Sequence, residues 1–378
     1  MLHKILCVLV ALCFVFTIGL HCNAQTVDAD ISAQAAVLID LENGRVYYQK
    51  NADLQLPMAS TTKIMTALVV LESGLNLDEY FTVDSNAIMV EGSSMGLQKG
   101  DRVTLRTLCY GMLLPSGNDA ANAAAVRVSG SIEKFCHLMN QKAEEMGLVN
   151  TRFQTPSGLD DDQHYTTAKE LAIIAYNAMQ NEDFREICSC VTATVDFGNP
   201  PYKRTLYNHN RLLRTYEGTI GVKTGFTKKS GRCLVSAAQR NGVGLICVTL
   251  NAPNDWNDHT LLYNDAFDKL AKIPLDQDSY IVKVTGGTTS SVNLVPRATP
   301  TATLAQGELS RVQKTVNIEP FVYAPVSALD VLGEAVYTLD SVEIARVELV
   351  AQIDVKRYIT EKGTFEKLWD TLFGWIKK

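Results

Sequence analysis

The sequence predicts an α+β fold: one antiparallel sheet with helices packed on it, then a small C-terminal β domain and an amphipathic helix. Three observations carry this. Strand-like runs open and close the main part of the chain. Helical periodicity fills the interval between them. Beyond Ile273-Pro274 the helical spacing gives way to short β-rich runs broken by Gly286-Gly287, Thr, Ser and Pro. With 46% apolar and 20% charged residues the chain is an ordinary globular one, neither disordered nor fibrous.

The elements follow in order. Ala35 to Asp40 and Arg45 to Tyr48 flank Asn43-Gly44, which predicts two strands and a type I′ turn, since Asn-Gly tolerates positive φ. Ile64, Ala67, Leu68 and Leu71 recur at helical spacing, so Ser60 lies at the start of a buried helix. Leu105 to Leu114 and Asp119 to Val128 predict two helices joined by Pro115-Ser116-Gly117-Asn118. Ile132 to Met146 and Thr167 to Met179 have the same period. Strands return at Gly221 to Thr224, and a hairpin is expected around Asn241-Gly242, from Arg232 to Arg240 and Val243 to Leu250.

The ends bound the compartment. Within residues 1–24, Lys4 is the sole charged residue, Ile5 to Leu20 is almost wholly apolar, and Cys22-Asn23-Ala24 ends in a small residue. This reads as a secretory signal peptide cleaved after Ala24, so the protein is expected outside the cytoplasm. The competing reading is an uncleaved anchor, for which the apolar run is short. At the other end, a helix over Phe365 to Lys378 would gather Phe365, Leu368, Trp369, Leu372, Phe373, Trp375 and Ile376 within an arc of roughly 160°. Lys and Arg outnumber Asp and Glu from Lys356 onward, which suits the outer face of an anionic membrane. The expected domains are 25–275, 280–356 and a terminal helix over 357–378.

Several function classes drop out. A net charge of −6 is a poor match to nucleic acid. Cys109, Cys136, Cys188, Cys190, Cys233 and Cys247 remain after the leader, too few for a disulfide scaffold. Cys188-Ser189-Cys190 has no Cys/His partner pair at zinc spacing, so no metal and no cofactor are expected. Gly92-Ser93-Ser94-Met95-Gly96 fits G-x-S-x-G, yet a turn follows where that elbow needs a helix, so Ser94 is not expected to be a nucleophile.

The chemistry lies in three motifs, Ser60-Thr61-Thr62-Lys63, Ser116-Gly117-Asn118 and Lys223-Thr224-Gly225. A serine hydroxyl needs a base to become a nucleophile, and Lys63 stands one helical turn from Ser60 on the same side. A lysine serves as base only when neutral, and burial beside a second cation such as Lys223 favours that form. Ser116 and Asn118 sit on a loop able to aim both side chains into a cleft. Lys223 and Thr224 offer a cation and a hydroxyl on a strand, and Gly225 leaves room for a substrate at its edge. Singly, each motif also fits an N-cap, a turn or a solvated strand lysine.

Together, in this order, the motifs resemble those of the penicillin-binding proteins and serine β-lactamases. From Ala36 to Asp268 the chain is similar to the low-molecular-weight penicillin-binding proteins, the D-alanyl-D-alanine carboxypeptidases of peptidase family S11. The likeness is dense at Met58-Ala59-Ser60-Thr61-Thr62-Lys63-Ile64-Met65-Thr66 and at Gly111 to Ala120. The β domain and tail resemble that family's C-terminal half. Ser-Gly-Asn, typical of these carboxypeptidases, argues against a class A β-lactamase.

The resemblance implies a transpeptidase-like fold and a set of roles. Ser60 would be acylated, with Lys63 as its base and Ser116 relaying a proton to the leaving D-alanine. Asn118 would hold the substrate backbone, and Lys223 and Thr224 the terminal carboxylate. The N–H groups of Ser60 and Phe226 would form the oxyanion hole. The expected partners are peptidoglycan stem peptides ending in D-Ala-D-Ala and, as covalent inhibitors, β-lactams. Two positions depart from the pattern of some members: Phe226 replaces His, and His209 replaces a carboxylate-gripping Arg. The alternatives are a serine β-lactamase and a catalytically dead peptidoglycan-binding protein.

Overall fold

The structure is a computed structural model and describes residues 27–359. The expected signal peptide over 1–24 and the amphipathic segment 365–378 lie outside the described residues. The chain forms two compact units: one runs to Lys272 and includes Thr303–Gln306, the other comprises Ile273–Ala302 and the residues from Gly307 on.

The first unit is built on β1 (Ala35–Asp40) and β2 (Val46–Lys50), then α1 (Lys63–Leu71), reached through a 3-10 turn over Ala59–Thr62. Short strands β3 (Phe81–Thr82) and β4 (Arg102–Val103) precede α2 (Leu105–Leu113), α3 (Asn118–Ser129), α4 (Ile132–Glu145), α5 (Ala168–Gln180) and α6 (Glu182–Ser189). The hairpin β5 (Thr192–Gly198) and β6 (Pro201–Tyr207) leads through α7 (Leu212–Thr215) to β7 (Thr219–Thr227), β8 (Gly231–Arg240) and β9 (Val243–Leu250), then α8 (Asp255–Lys269).

Five strands form an antiparallel sheet in the order β2-β1-β9-β8-β7, with β7 at one edge. The sheet is apolar on both faces. Val37, Ile39, Val235, Ile246 and Val248 join the core that includes Ile64, Leu68 and Leu108, while Leu38, Leu234, Leu245 and Cys247 join the one that includes Leu262 and Tyr263. Hence every residue of β9 is buried and its sequence shows no alternation. The helix α1 is apolar nearly all round because it is central: seven of its nine residues are buried.

The two Asn-Gly turns differ. Asn241 and Gly242 both have positive φ (49° and 80°) between the paired Arg240 and Val243, as a type I′ turn requires. At Asn43-Gly44 only the glycine does. There Asp40 Oδ1 accepts from the N–H groups of Glu42 and Asn43 and shapes a wider loop, which corrects the type I′ expectation. The sequence pattern also passed over the β5–β6 hairpin, which joins β3 and β4 in a four-stranded sheet.

After β10 (Leu270–Pro274), the second unit contains β11 (Tyr280–Thr285) and β12 (Ser291–Pro296). Past β13 (Thr301–Ala305) come β14 (Gln313–Ile318), β15 (Phe321–Tyr323), β16 (Val331–Leu339) and β17 (Val342–Ala351). Six of these form one sheet ordered β14-β16-β17-β12-β11-β15.

Candidate active site

Ser60 occupies the 3-10 turn before α1, and Lys63 is that helix's first residue. Ala59 holds φ +47°, an uncommon conformation for a residue with a side chain, and this turns Ser60 out of the core. Lys63 is fully buried, and its Nζ makes three contacts: Ser60 Oγ at 2.8 Å, Asn118 Oδ1 at 2.7 Å and Ser157 O at 2.6 Å. Burial, and after it the charge of Lys223, hold this amine far below the ordinary lysine range; Asp119 opposes the shift. A neutral amine has two hydrogens and one lone pair. The two carbonyl oxygens can only accept, so the lone pair is left facing the Ser60 hydroxyl.

Lys223 is also fully buried, on the edge strand β7. Its Nζ donates to Ser116 Oγ (2.9 Å) and to Thr224 O (2.8 Å). Burial alone lowers its pKa, to about 7. A protonated Lys223 therefore keeps one N–H uncommitted. Ser116, buried with φ +64°, bonds Lys223 and not Lys63, so the two lysines head separate hydrogen-bond clusters.

The remaining expected site residues gather here too. Asn118 begins α3 and is engaged at both ends, Oδ1 by Lys63 and Nδ2 through one N–H to Glu91 O (2.7 Å). The second N–H of that amide is what could reach a substrate. Gly225 makes room on the protein's own side: a Cβ there would lie 3.1 Å from Met58 O, Ser60 N and Thr61 N. Its lack of a side chain lets β7 approach the Ser60 turn, a tighter reason for glycine than space for a ligand. Phe226 is 66% exposed, paired with Arg232 on β8. His209 is exposed at the start of the segment leading to α7, its backbone N–H donating to Leu114 O (3.1 Å). Partial screening of its ring from water, and then the Lys223 charge, lower its pKa.

Sequence reasoning missed the supports. His164 accepts from Gln154 N–H at Nδ1 (3.0 Å), which leaves Nε2–H to donate to Thr62 Oγ1 (2.7 Å). Burial depresses its pKa to about 4, so the ring is neutral. Thr62 in turn donates to Ala59 O (2.8 Å), pinning the turn that carries Ser60. A Cβ on Gly158 would meet Ala59 O at 2.0 Å, so the Ser157-Gly158 loop closes on the same turn from the other side. The buried Asp119 accepts from the backbone N–H groups of Met95, Gly96 and Leu97 and from Ser94 Oγ (2.6 Å). Ser94 thus helps anchor the loop behind Asn118. Pro156-Ser157-Gly158 reads only as a turn in sequence, and nothing there pairs it with Lys63.

The described cysteines are unpaired, five of the six buried, with Cys190 half-buried. Among the described residues no group of three His, Cys, Asp or Glu side chains could hold a metal ion.

A family model described as D-alanyl-D-alanine carboxypeptidase matches residues 22–254, more than half of the chain. The chain belongs to the D-alanyl-D-alanine carboxypeptidase family. As a member of that family it is a serine hydrolase. A second model, described as the penicillin-binding protein 5 C-terminal domain, matches residues 272–357. Among curated carboxypeptidases of the family, DacF of Bacillus subtilis is 32% identical over 91% of this chain and 90% of its own length. DacC of Escherichia coli is 32% identical over 95% and 92%. Among solved structures, penicillin-binding protein 5 of Haemophilus influenzae superposes with a TM-score of 0.67 at 28% identity, covering 87% of this chain and 99% of that one. The Streptomyces K15 DD-transpeptidase gives 0.61 at 35% identity over 64% and 99%.

Proposed function

We propose that this carboxypeptidase removes the terminal D-alanine of peptidoglycan stem peptides through an acyl-enzyme on Ser60. The observation that carries this is the fully buried Lys63 with its Nζ 2.8 Å from Ser60 Oγ, in surroundings that favour the neutral amine. Lys63 takes the hydroxyl proton as Oγ attacks the penultimate carbonyl. Negative charge builds on the carbonyl oxygen, facing the N–H groups of Ser60 and Phe226. The C–N bond then breaks as Ser116, turning from Lys223 toward Lys63, passes the proton that Lys63 gained to the leaving nitrogen, which frees D-alanine and returns Lys63 to its neutral form. Water, deprotonated by Lys63, hydrolyses the ester and restores Ser60.

Carboxylate recognition falls to the free N–H of Lys223 and the Thr224 hydroxyl, with His209 beside them. The second N–H of Asn118 holds the peptide backbone. A β-lactam presents the same carbonyl and carboxylate, acylates Ser60 and keeps its leaving group tethered. The test is D-alanine release from a peptide ending in Lys-D-Ala-D-Ala, with Ser60→Ala alongside. Release lost in the variant, together with loss of covalent penicillin labelling, supports the assignment. Rapid penicillin turnover without D-alanine release would point instead to a β-lactamase.

The enzyme is further proposed to act outside the cytoplasm, held to the outer face of the cytoplasmic membrane by residues 365–378. The apolar leader and the net-basic, Trp-bearing tail of the sequence support this. No described helix is long and apolar enough to cross a membrane.

A further inference from the structure

The second unit carries a concentration of exposed apolar side chains at one corner of its sheet. Along β11, Val282 and Val284 are buried, while Ile281, Lys283 and Thr285 face out, Ile281 73% exposed. The parallel edge strand β15 pairs Phe321 with Lys283 and Tyr323 with Thr285. Phe321 and Tyr323 are both exposed, Tyr323 by 70%, and their rings meet edge to face at 5.4 Å.

The end of the described chain arrives at this place. Arg357 bridges to Gly287, and Tyr358 N–H donates to Gly286 O (2.7 Å), the residue after Thr285. Tyr358 and Ile359 are exposed, as are the flanking Lys356 and Arg357. Large apolar residues gathered on a surface mark a contact site, whereas scattered ones do not.

We propose that this corner, formed by Ile281, Phe321, Tyr323, Tyr358 and Ile359 among Lys283, Lys356 and Arg357, rests on an anionic phospholipid surface. It is a second membrane contact beside the tail and orients the β domain on the bilayer. The inference rests on the membrane-attachment reading given above. Three features select lipid as the occupant. The apolar side chains are interleaved with Lys and Arg, whose stems lie along apolar surface while their charges reach headgroups. Phe and Tyr suit the interface, where one end of a ring is apolar and the other wet. The chain also leaves the corner directly into residues 360–378, whose sequence pattern is itself amphipathic and net basic. Strand addition by a protein is disfavoured at β15, which offers only three residues.

The test uses the full chain and vesicles of phosphatidylcholine with or without phosphatidylglycerol, read by co-sedimentation. Three variants are compared: Phe321→Ser/Tyr323→Ser, Lys283→Glu/Arg357→Glu, and, in the tail, Trp369→Ser/Trp375→Ser. The two corner variants should each bind anionic vesicles about tenfold more weakly, with an unchanged melting temperature and unchanged D-alanine release from a soluble peptide. The charge-reversal pair guards against loss of fold in the aromatic pair. Corner variants that bind like the parent while the tail variant detaches would overturn this inference and leave tail attachment standing. A parent chain that binds neither vesicle would overturn both.

Discussion

Lys63 and Lys223 are both fully buried amines at one site, yet their surroundings differ in a way that fits the opposite tasks proposed for them. Lys63 stands on a central helix, and each of its three hydrogen-bond positions is filled, two of them by carbonyls that can only accept. Lys223 stands on an edge strand with two positions filled and the third open. Burial lowers both, and the repulsion between the two charges disfavours their joint protonation. The partners of Lys63 fit a neutral amine and those of Lys223 a cation, which is the division of labour proposed for them. Burial alone would not have told them apart; the number and kind of partners does.

The sharpest way to break this contrast is Lys63→Met. Loss of the general base should slow Ser60 acylation by penicillin about 10²–10⁴-fold, measured as the rate of covalent labelling. Stability should move the other way. The unfolded chain binds a proton at Lys63 at every pH below the ordinary lysine pKa, and the native state resists it, so this residue costs stability across the neutral range. The Met variant should melt higher than the parent. Acylation at the parent rate would remove Lys63 from the mechanism.

The support of the Ser60 turn gives the next effect. His164 is neutral with a pKa near 4, below its ordinary 6.5. Between those values the unfolded chain holds a proton that the native state does not, so stability falls as pH drops through that window. The limit is about 3 kcal/mol once pH is below both values. Denaturant midpoints for the parent and His164→Gln between pH 4 and 7 should converge on the acid side. Parallel curves would mean that His164 is not the titrating group. His259 shares the acid direction on the opposite face of the sheet, bonded to Ser236 and Thr249 with a pKa near 3, so it contributes, with His209, to the slope that remains in the variant.

These two histidines also show where sequence legibility stops. The sheet strands and the helices from Ile64 to Met179 were readable because apolar spacing reports burial directly. The three motifs were readable because each packs its chemistry into three or four consecutive residues. His164, Ser157 and Asp119 act across 102, 94 and 22–25 residues of separation. No local pattern records such pairings; only the fold brings them together. The β5–β6 hairpin was passed over for a related reason. Thr192, Thr194, Tyr202, Lys203, Thr205 and Tyr207 lie exposed, so the strands carry few apolar residues. Gly225 stands out within its motif, but the neighbour that requires glycine there is the Ser60 turn, 165 positions earlier in the chain.

Charge at the strand-borne lysine is a subtler lever. In its proposed role Lys223 must be protonated to hold a carboxylate, and burial lowers its pKa to about 7. The kcat/KM for a peptide ending in D-Ala-D-Ala should therefore fall as pH rises through that value, approaching about tenfold per unit. The C-terminal amide of the same peptide has no carboxylate to lose and should show no such limb. If both substrates fall together, Lys223 serves the chemistry and the division between the lysines is wrong.

The smallest effect belongs to His209, which lies close enough to Lys223 to feel its charge and is proposed to assist with the carboxylate. Screening from water, and after it the nearby Lys223 charge, lower its pKa from the ordinary 6.5. It is therefore neutral at pH 7 and becomes a second cation only in acid. Carboxylate affinity should improve as pH falls from 7 toward 5.5, adding to the limb set by Lys223. His209→Gln should flatten the acid part of the KM profile and leave the limb near pH 7 in place. His209→Arg should lower KM severalfold and make it insensitive on the acid side, because a guanidinium stays charged throughout. A KM that is flat from pH 5.5 to 8 in the parent would sink the roles assigned to both groups. A profile unchanged by either substitution would leave Lys223 as the lone titrating grip on the carboxylate.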